Sequence, residues 1–178
     1  MVGIASNTAF HYFRTTRIEV QLTLRGGTNV SHSMSGEYVQ QVLLPTLSKI
    51  GLPTINVDVK KRGWAGGAGE IGETVVNISK IEGLFVLPAF HVTNRGGVSR
   101  IAITILAQGQ DVRDSLKESI TQLIAEQVGK EVNIDVVIDE DSGHPLRLYV
   151  LLVAHTENGW VIGKRCFARE ACQRRLYS

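Results

Sequence analysis

The chain has 178 residues, 43% of them hydrophobic and 20% charged, which are values of a folded protein with a packed core rather than of a disordered one. A formal net charge of +2 is too small to argue nucleic-acid or membrane binding from bulk electrostatics. No apolar run approaches the roughly 18 residues of a membrane span, and residues 1–13 lack the cationic start and continuous apolar stretch of a secretory signal.

Residues 1–16 carry no defined element. The first predicted strand is RIEVQLTL, residues 17–24, where apolar and polar side chains alternate with period two. A loop rich in Gly, Ser and Asn follows. From Glu37 the period changes: Tyr38, Val39, Val42, Leu43, Leu47 and Ile50 recur at helical spacing. Ser35 or Gly36 serves as the cap, and Gly51 followed by Pro53 ends the helix. Pro45 inside this stretch removes a backbone hydrogen bond and predicts a bend.

Residues 54–62 and 73–81 are predicted strands, separated by the segment GWAGGAGEIG. Its Gly67, Gly69 and Gly72 show the G-x-G-x-x-G spacing of a dinucleotide site. That fingerprint works only between a strand and a helix, whose N-terminus receives the pyrophosphate. Here the following residues, ETVVNIS, alternate as a strand, so the match is rejected.

In the second half, residues 84–92 read as extended, with Pro88 placing them at an edge or in a connection. Residues 99–107 form a strand. Residues 111–128 are the clearest helix, with Val112, Leu116, Ile120, Leu123, Ile124 and Val128 on one face and Asp111 as cap. VNIDVVIDE, LRLYVLLVAHT and GWVIGKR follow as strands, and FAREACQRRL is helical in pattern. This last helix stops with its apolar stripe unfinished, which suggests a chain that continues. Lys164, Arg165, Arg169, Arg174 and Arg175 crowd the last fifteen positions and read as a solvated face at the chain end. Cys166 and Cys172 are six apart, on different helix faces, and read as reduced structural thiols of an intracellular protein. The order of elements is β-α-β-β and then β-α-β-β-α, an α+β layout with helices on one face of largely antiparallel sheets and a boundary near Glu82–Pro88. The first sheet is expected to expose an unpaired edge and an apolar face.

No active site assembles from single residues. His11, His32, His91, His144 and His155 show no metal-ligand spacing with each other or with a Cys or paired carboxylates. Asp139, Glu140 and Asp141 read as a solvated turn rather than a cation loop. Ser142 and His144 lack an acid partner and a strand-turn-helix elbow. No catalytic residue and no metal site is therefore assigned. Two glycine loops flanked by arginine remain, Arg25-Gly26-Gly27-Thr28-Asn29 and Lys61-Arg62-Gly63-Trp64. Glycines expose backbone N–H groups to an oxyanion, and a guanidinium clamps phosphate oxygens in pairs. The alternative is tight turns with ordinary surface arginines.

These segments resemble the RNA 3'-terminal phosphate cyclase family. LTLRGGTNV (22–30) is similar to its L-x-L-R-G-G-T-N segment, and Glu37-Tyr38 with VQQVLLPTLSKIGL (39–52) to the following helix, internal proline included. RGWAGGAGEI (62–71) sits where the family has R-G-aromatic-x-P-x-G-G-G-E-V, and HVTNRGGVSRI (91–101) resembles its L-T-E-R-G-x-V-x-x-I stretch. The resemblance implies repeated β-α-β-β units with a smaller inserted α/β domain: a unit over residues 17–83, then an insert-type domain and the start of a truncated helix over 84–178. It implies ATP-dependent conversion of an RNA 3'-phosphate to a 2',3'-cyclic phosphate through an adenylated histidine, with a divalent metal such as Mg. ATP and the RNA 3' end are then the partners. Arg25, Gly26, Gly27, Asn29, Tyr38, Arg62, Gly63, Gly66, Gly67 and Gly69 become the phosphate- or substrate-binding set.

The sequence also departs from the family. The first repeat and the histidine-bearing segment have no counterpart, so roughly half of a full-length member is expected to be present. Met34 stands where the family usually has proline, and Glu37 where it has aspartate. The glycine signature is one residue short, lacks its proline and contains Ala68. The first reading is thus a cyclase fragment that is inactive alone. The alternative is the non-catalytic cyclase-like protein of ribosome biogenesis and rRNA processing, which would add a protein partner in ribosome assembly. A folded remnant without activity is the third. The expected compartment is the nucleus or nucleolus in a eukaryote and the cytoplasm otherwise.

Overall fold

Alternation makes Val20–Gly26 strand β1: Leu22 and Leu24 are half-buried, while Gln21, Thr23 and Arg25 face solvent. The computed structural model describes residues 18–30, 33–64, 71–80, 88–90, 92–128 and 132–168. The chain divides into two compact units, Met1–His91 and Val92–Ser178.

In the first unit β1 is followed by a helical stretch in three parts. These are α1 (Gly36–Tyr38), a π-helical turn (Val39–Leu43) and α2 (Leu44–Lys49). Ser35 caps the start, its hydroxyl accepting from the Tyr38 amide at 3.2 Å. The bend expected at Pro45 takes the form of the π turn, in which the Leu44 amide reaches back five residues to the Val39 carbonyl. Widening the helix here gives the proline ring room that an α-turn denies it. The Thr46 hydroxyl then donates to the Val42 carbonyl at 2.7 Å, serving an acceptor beside the ring.

Strands β2 (Ile55–Lys61) and β3 (Gly72–Ile78) complete a sheet of order β1-β3-β2 with antiparallel neighbours throughout. β1 and β2 therefore run parallel on either side of β3, a split β-α-β arrangement. Leu22, Val57 and Val76 share a row, as do Leu24, Val59 and Thr74. The face expected to be open and apolar is half-buried along these rows, and the other face carries Gln21, Thr23, Arg25, Asn56, Asp58 and Lys60 beside Val75. Period-two alternation had already sorted the two faces. Among the described strands, β1 and β2 each pair on one side only. Gln40 partly covers β2, its side-chain amide donating to the Val57 carbonyl at 2.6 Å.

The second unit runs β4 (Val98–Leu106), α3 (Gln110–Val128), β5 (Asn133–Glu140), β6 (Leu148–Thr156) and β7 (Val161–Ala168), in sheet order β5-β4-β6-β7. The α3 crossover makes β4 and β5 parallel, and the other pairs are antiparallel. Ile101, Ile103 and Ile105 pack with Leu116 and Ile124 of α3. The opposite side of β4 and β6, with Thr104, Leu106, Tyr149, Leu151 and Val153, is fully buried as well.

The structure departs from the sequence pattern at three places. Helix α3 starts one residue early: the Gly109 carbonyl accepts the Arg113 amide at 3.3 Å, so Asp111 lies in the first turn and is not the cap. The predicted stripe is narrower, with Val112, Leu123 and Val128 exposed. Steps of four residues drift about 40° each, so the ends of the row leave the sheet. Phe167 and Ala168 belong to β7, which places Cys166 on an exposed strand position rather than on a helix. Residues 169–178, with Arg169, Cys172, Arg174 and Arg175, lie outside the described residues. No described helix is long and apolar enough to cross a membrane.

Candidate functional site

The two arginine-flanked loops adjoin. Gly26 ends β1, Gly63 follows β2 and Gly72 opens β3, and their backbones meet so closely that a side chain is excluded at Gly63 and at Gly72. A methyl group on Gly63 would stand 2.5 Å from the Gly72 nitrogen and 2.6 Å from the Gly26 carbonyl oxygen. Beyond this junction the loops are stitched together. The Thr28 and Asn29 amides both donate to the Gly63 carbonyl, at 2.8 and 2.9 Å, and Asn29 forms a parallel bridge with Trp64. The Gly36 amide donates to the Thr28 carbonyl at 3.2 Å, tying the helix start to the same point.

Beneath the loops lies a buried polar network centred on Glu37, which is only 1% exposed. One carboxylate oxygen accepts from Asn29 Nδ2 at 2.8 Å and the other from Arg62 Nε at 2.9 Å. The Thr28 hydroxyl donates to Asn29 Oδ1 at 2.7 Å and accepts from the Gly63 amide at 3.0 Å. A buried carboxylate is tolerated only when paired and hydrogen-bonded in this way. At the rim, Arg25 is exposed and its Nε lies 2.9 Å from Glu73, which sits between Arg25 and Lys61 in the sheet register.

Of the residues picked from sequence, Arg25, Gly26, Gly27, Asn29, Arg62 and Gly63 are brought together, and Tyr38 lies at the adjoining helix start. Gly66, Gly67 and Gly69 fall outside the described residues, as do His11, His32 and His91. Gly72 leads into a strand, in keeping with the rejected dinucleotide fingerprint. Thr28 and Glu37 were missed as site residues, because their partners are remote: Glu37 meets Arg62 from 25 positions away.

The other sequence candidates are occupied by local structure. Asp139 Oδ1 lies 2.7 Å from Arg113 Nε, while Asp141 accepts the Gly143 amide at 2.7 Å and lies 3.6 Å from Arg113. Ser142 donates to the His144 carbonyl at 2.9 Å, and His144 Nδ1 accepts the Leu146 amide at 3.1 Å. His155 sits in β6 opposite Arg100; burial, and then the Arg100 charge, hold its imidazole below the ordinary value of 6.5. Among the described residues, no three His, Cys, Asp or Glu side chains gather to hold a metal ion.

Residues 4–168 match the family model described as RNA 3'-terminal phosphate cyclase. The chain belongs to this family. An RNA 3'-terminal phosphate cyclase of Nostoc punctiforme is 31% identical over 84 residues, which cover 46% of this chain and 23% of that protein. The aligned stretch thus spans under a quarter of that cyclase's length. The α+β architecture, with its split β-α-β unit and second α/β unit, is compatible with a cyclase-type fold.

Proposed function

We propose that this chain is the RNA-facing part of an RNA 3'-terminal phosphate cyclase, and that the paired loops at Arg25–Asn29 and Arg62–Trp64 receive the terminal phosphate. The observation that carries this reading is the stitching of Thr28 and Asn29 to Gly63 and Trp64, which merges two loops remote in sequence into one surface. Arg25 stands at its rim with a 75% exposed side chain, and a Gly26 side chain would meet none of the described residues beyond its chain neighbours within 4 Å. An exposed guanidinium beside open backbone suits a phosphate that arrives from solvent.

Among the described residues no three donor side chains gather for the divalent metal that the family implies, although a magnesium ion carried on ATP phosphates needs only one or two protein carboxylates. Nor do the described residues assign the ATP chemistry. The reading gives this chain substrate binding, with nucleotidyl transfer supplied by other residues of the full-length family.

A single-stranded RNA ending in a 3'-phosphate should bind several-fold more tightly than the same RNA ending in a 3'-hydroxyl. Arg25→Ala should remove most of that difference, because charge-assisted contacts to phosphate are the stronger class. Equal binding of both RNAs by the wild-type protein would sink the reading. It would favour instead the non-catalytic, cyclase-like role in ribosome biogenesis. The observation on that side is that Arg25 and Arg62 both direct Nε to a carboxylate of the chain itself, as braces of a scaffold would.

A further inference from the structure

The hydrogen bonds under the loops have a single direction, fixed by chemistry. Asn29 Oδ1 can only accept, so the Thr28 hydroxyl 2.7 Å away donates to it while accepting from the Gly63 N–H; the Gly63 carbonyl, at 3.5 Å, is its second and weaker acceptor. Asn29 is thereby oriented with Nδ2 outward, and this amide donates to Glu37. From the other side Arg62 Nε, also a donor only, reaches the second oxygen of the same carboxylate. Residues 62 and 63 are neighbours in the chain, so the relay leaves and returns to one segment and closes into a ring. Every donor in the ring points towards Glu37.

We infer that Glu37 is a positioning residue: it fixes the first loop against the second, and through them the backbone that faces a terminal phosphate. This rests on the phosphate reading above and goes beyond it, because Glu37 need not touch the ligand. Thr28, Asn29 and Glu37 are all at least nine-tenths buried. The requirement is for a group with two acceptors. In Glu37→Gln the amide oxygen serves one partner, while the amide NH2 is turned towards the other, which is itself a donor. The ring must weaken although size and shape are unchanged: either one link opens, or Asn29 turns over and leaves the Thr28 hydroxyl only the 3.5 Å contact to the Gly63 carbonyl. Glu37→Asp keeps both acceptors on a stem one methylene shorter.

The test compares the affinity of wild type and folded variants for a short RNA with a 3'-phosphate and for its 3'-hydroxyl counterpart, with thermal melting measured alongside. The expected result is that Glu37→Gln lowers the ratio of the two affinities about tenfold, the scale of one charge-assisted hydrogen bond, while 3'-hydroxyl RNA binds as before. Glu37→Asp should restore the ratio to within about threefold. If Glu37→Gln does not fold, Thr28→Val breaks the same relay one link earlier without altering a charge, and a lowered ratio is again expected. A wild-type ratio in folded Glu37→Gln or in Thr28→Val, or an equal loss for both RNAs, overturns the positioning role alone. Absence of any 3'-phosphate preference in the wild-type protein overturns the phosphate reading itself.

Discussion

Glycine has two uses at the loop junction that look alike in the sequence. Gly26 and Gly63 both sit beside an arginine at a strand end, and neither has a positive φ. Among the described residues, a side chain on Gly26 meets nothing beyond its chain neighbours within 4 Å, whereas one on Gly63 meets backbone atoms of two neighbouring strand ends. Backbone cannot rotate out of the way, so Gly63→Ala should destabilise towards the upper end of the roughly 1–3 kcal/mol seen for overpacking. Gly26→Ala should be neutral or stabilising by up to about 1 kcal/mol, by restricting the unfolded chain. Denaturant midpoints of the two variants check this; equal losses would refute the asymmetry. His155 gives a second prediction at this scale. Its pKa is lowered on folding, by burial first and by Arg100 second, so the unfolded chain takes up the proton more readily. Stability should therefore fall as pH drops through the ordinary value of 6.5 and level off below the lowered folded value. In His155→Gln, melting temperatures at pH 5 and pH 7.5 should lie closer together than in wild type.

At the level of elements, periodicity identified the described strands and helices well, the start of the expected last helix excepted, because each rests on contacts between residues near in sequence or on a single buried face. Val20–Gly26, Ile55–Lys61 and Gly72–Ile78 lie within three residues of the ends expected from alternation alone. What periodicity does not carry is how wide a helical stripe its partner sheet covers. Leu123 fits the apolar row of α3 yet is 53% exposed, while Ile124 beside it is packed against β4. Ile124→Ala should cost about 2–5 kcal/mol through lost burial and a residual cavity. Leu123→Ala should stay within about 0.5 kcal/mol. Urea unfolding of both distinguishes them, and similar losses would mean that α3 is turned from its described face. The π turn was legible only as a disturbance: Pro45 demanded relief, but a kink and a widened turn satisfy that demand equally.

For the whole molecule, the glycine loops were legible as a pair of suspects, and the network that unites them was not. Arg62 and Asn29 read naturally as ligand groups, because nothing local announces a buried carboxylate 25 and 8 positions away. Family membership supplies the wider context, yet it does not assign chemistry to residues that lack the required surroundings. A histidine that attacks ATP needs an accessible nitrogen and a partner that orients it. His144 already uses Nδ1 to accept the Leu146 amide within its own turn. His155 is partly desolvated beside a guanidinium, an environment that opposes positive charge on the ring as the nucleotide is transferred. The chain incubated with magnesium and ATP labelled at the α-phosphate should therefore remain unlabelled after denaturation. A covalent AMP adduct lost on substituting any one of His11, His32, His91, His144 and His155 by Ala would show that this ring acts as the nucleophile after all, and would move this chain from substrate binding to catalysis.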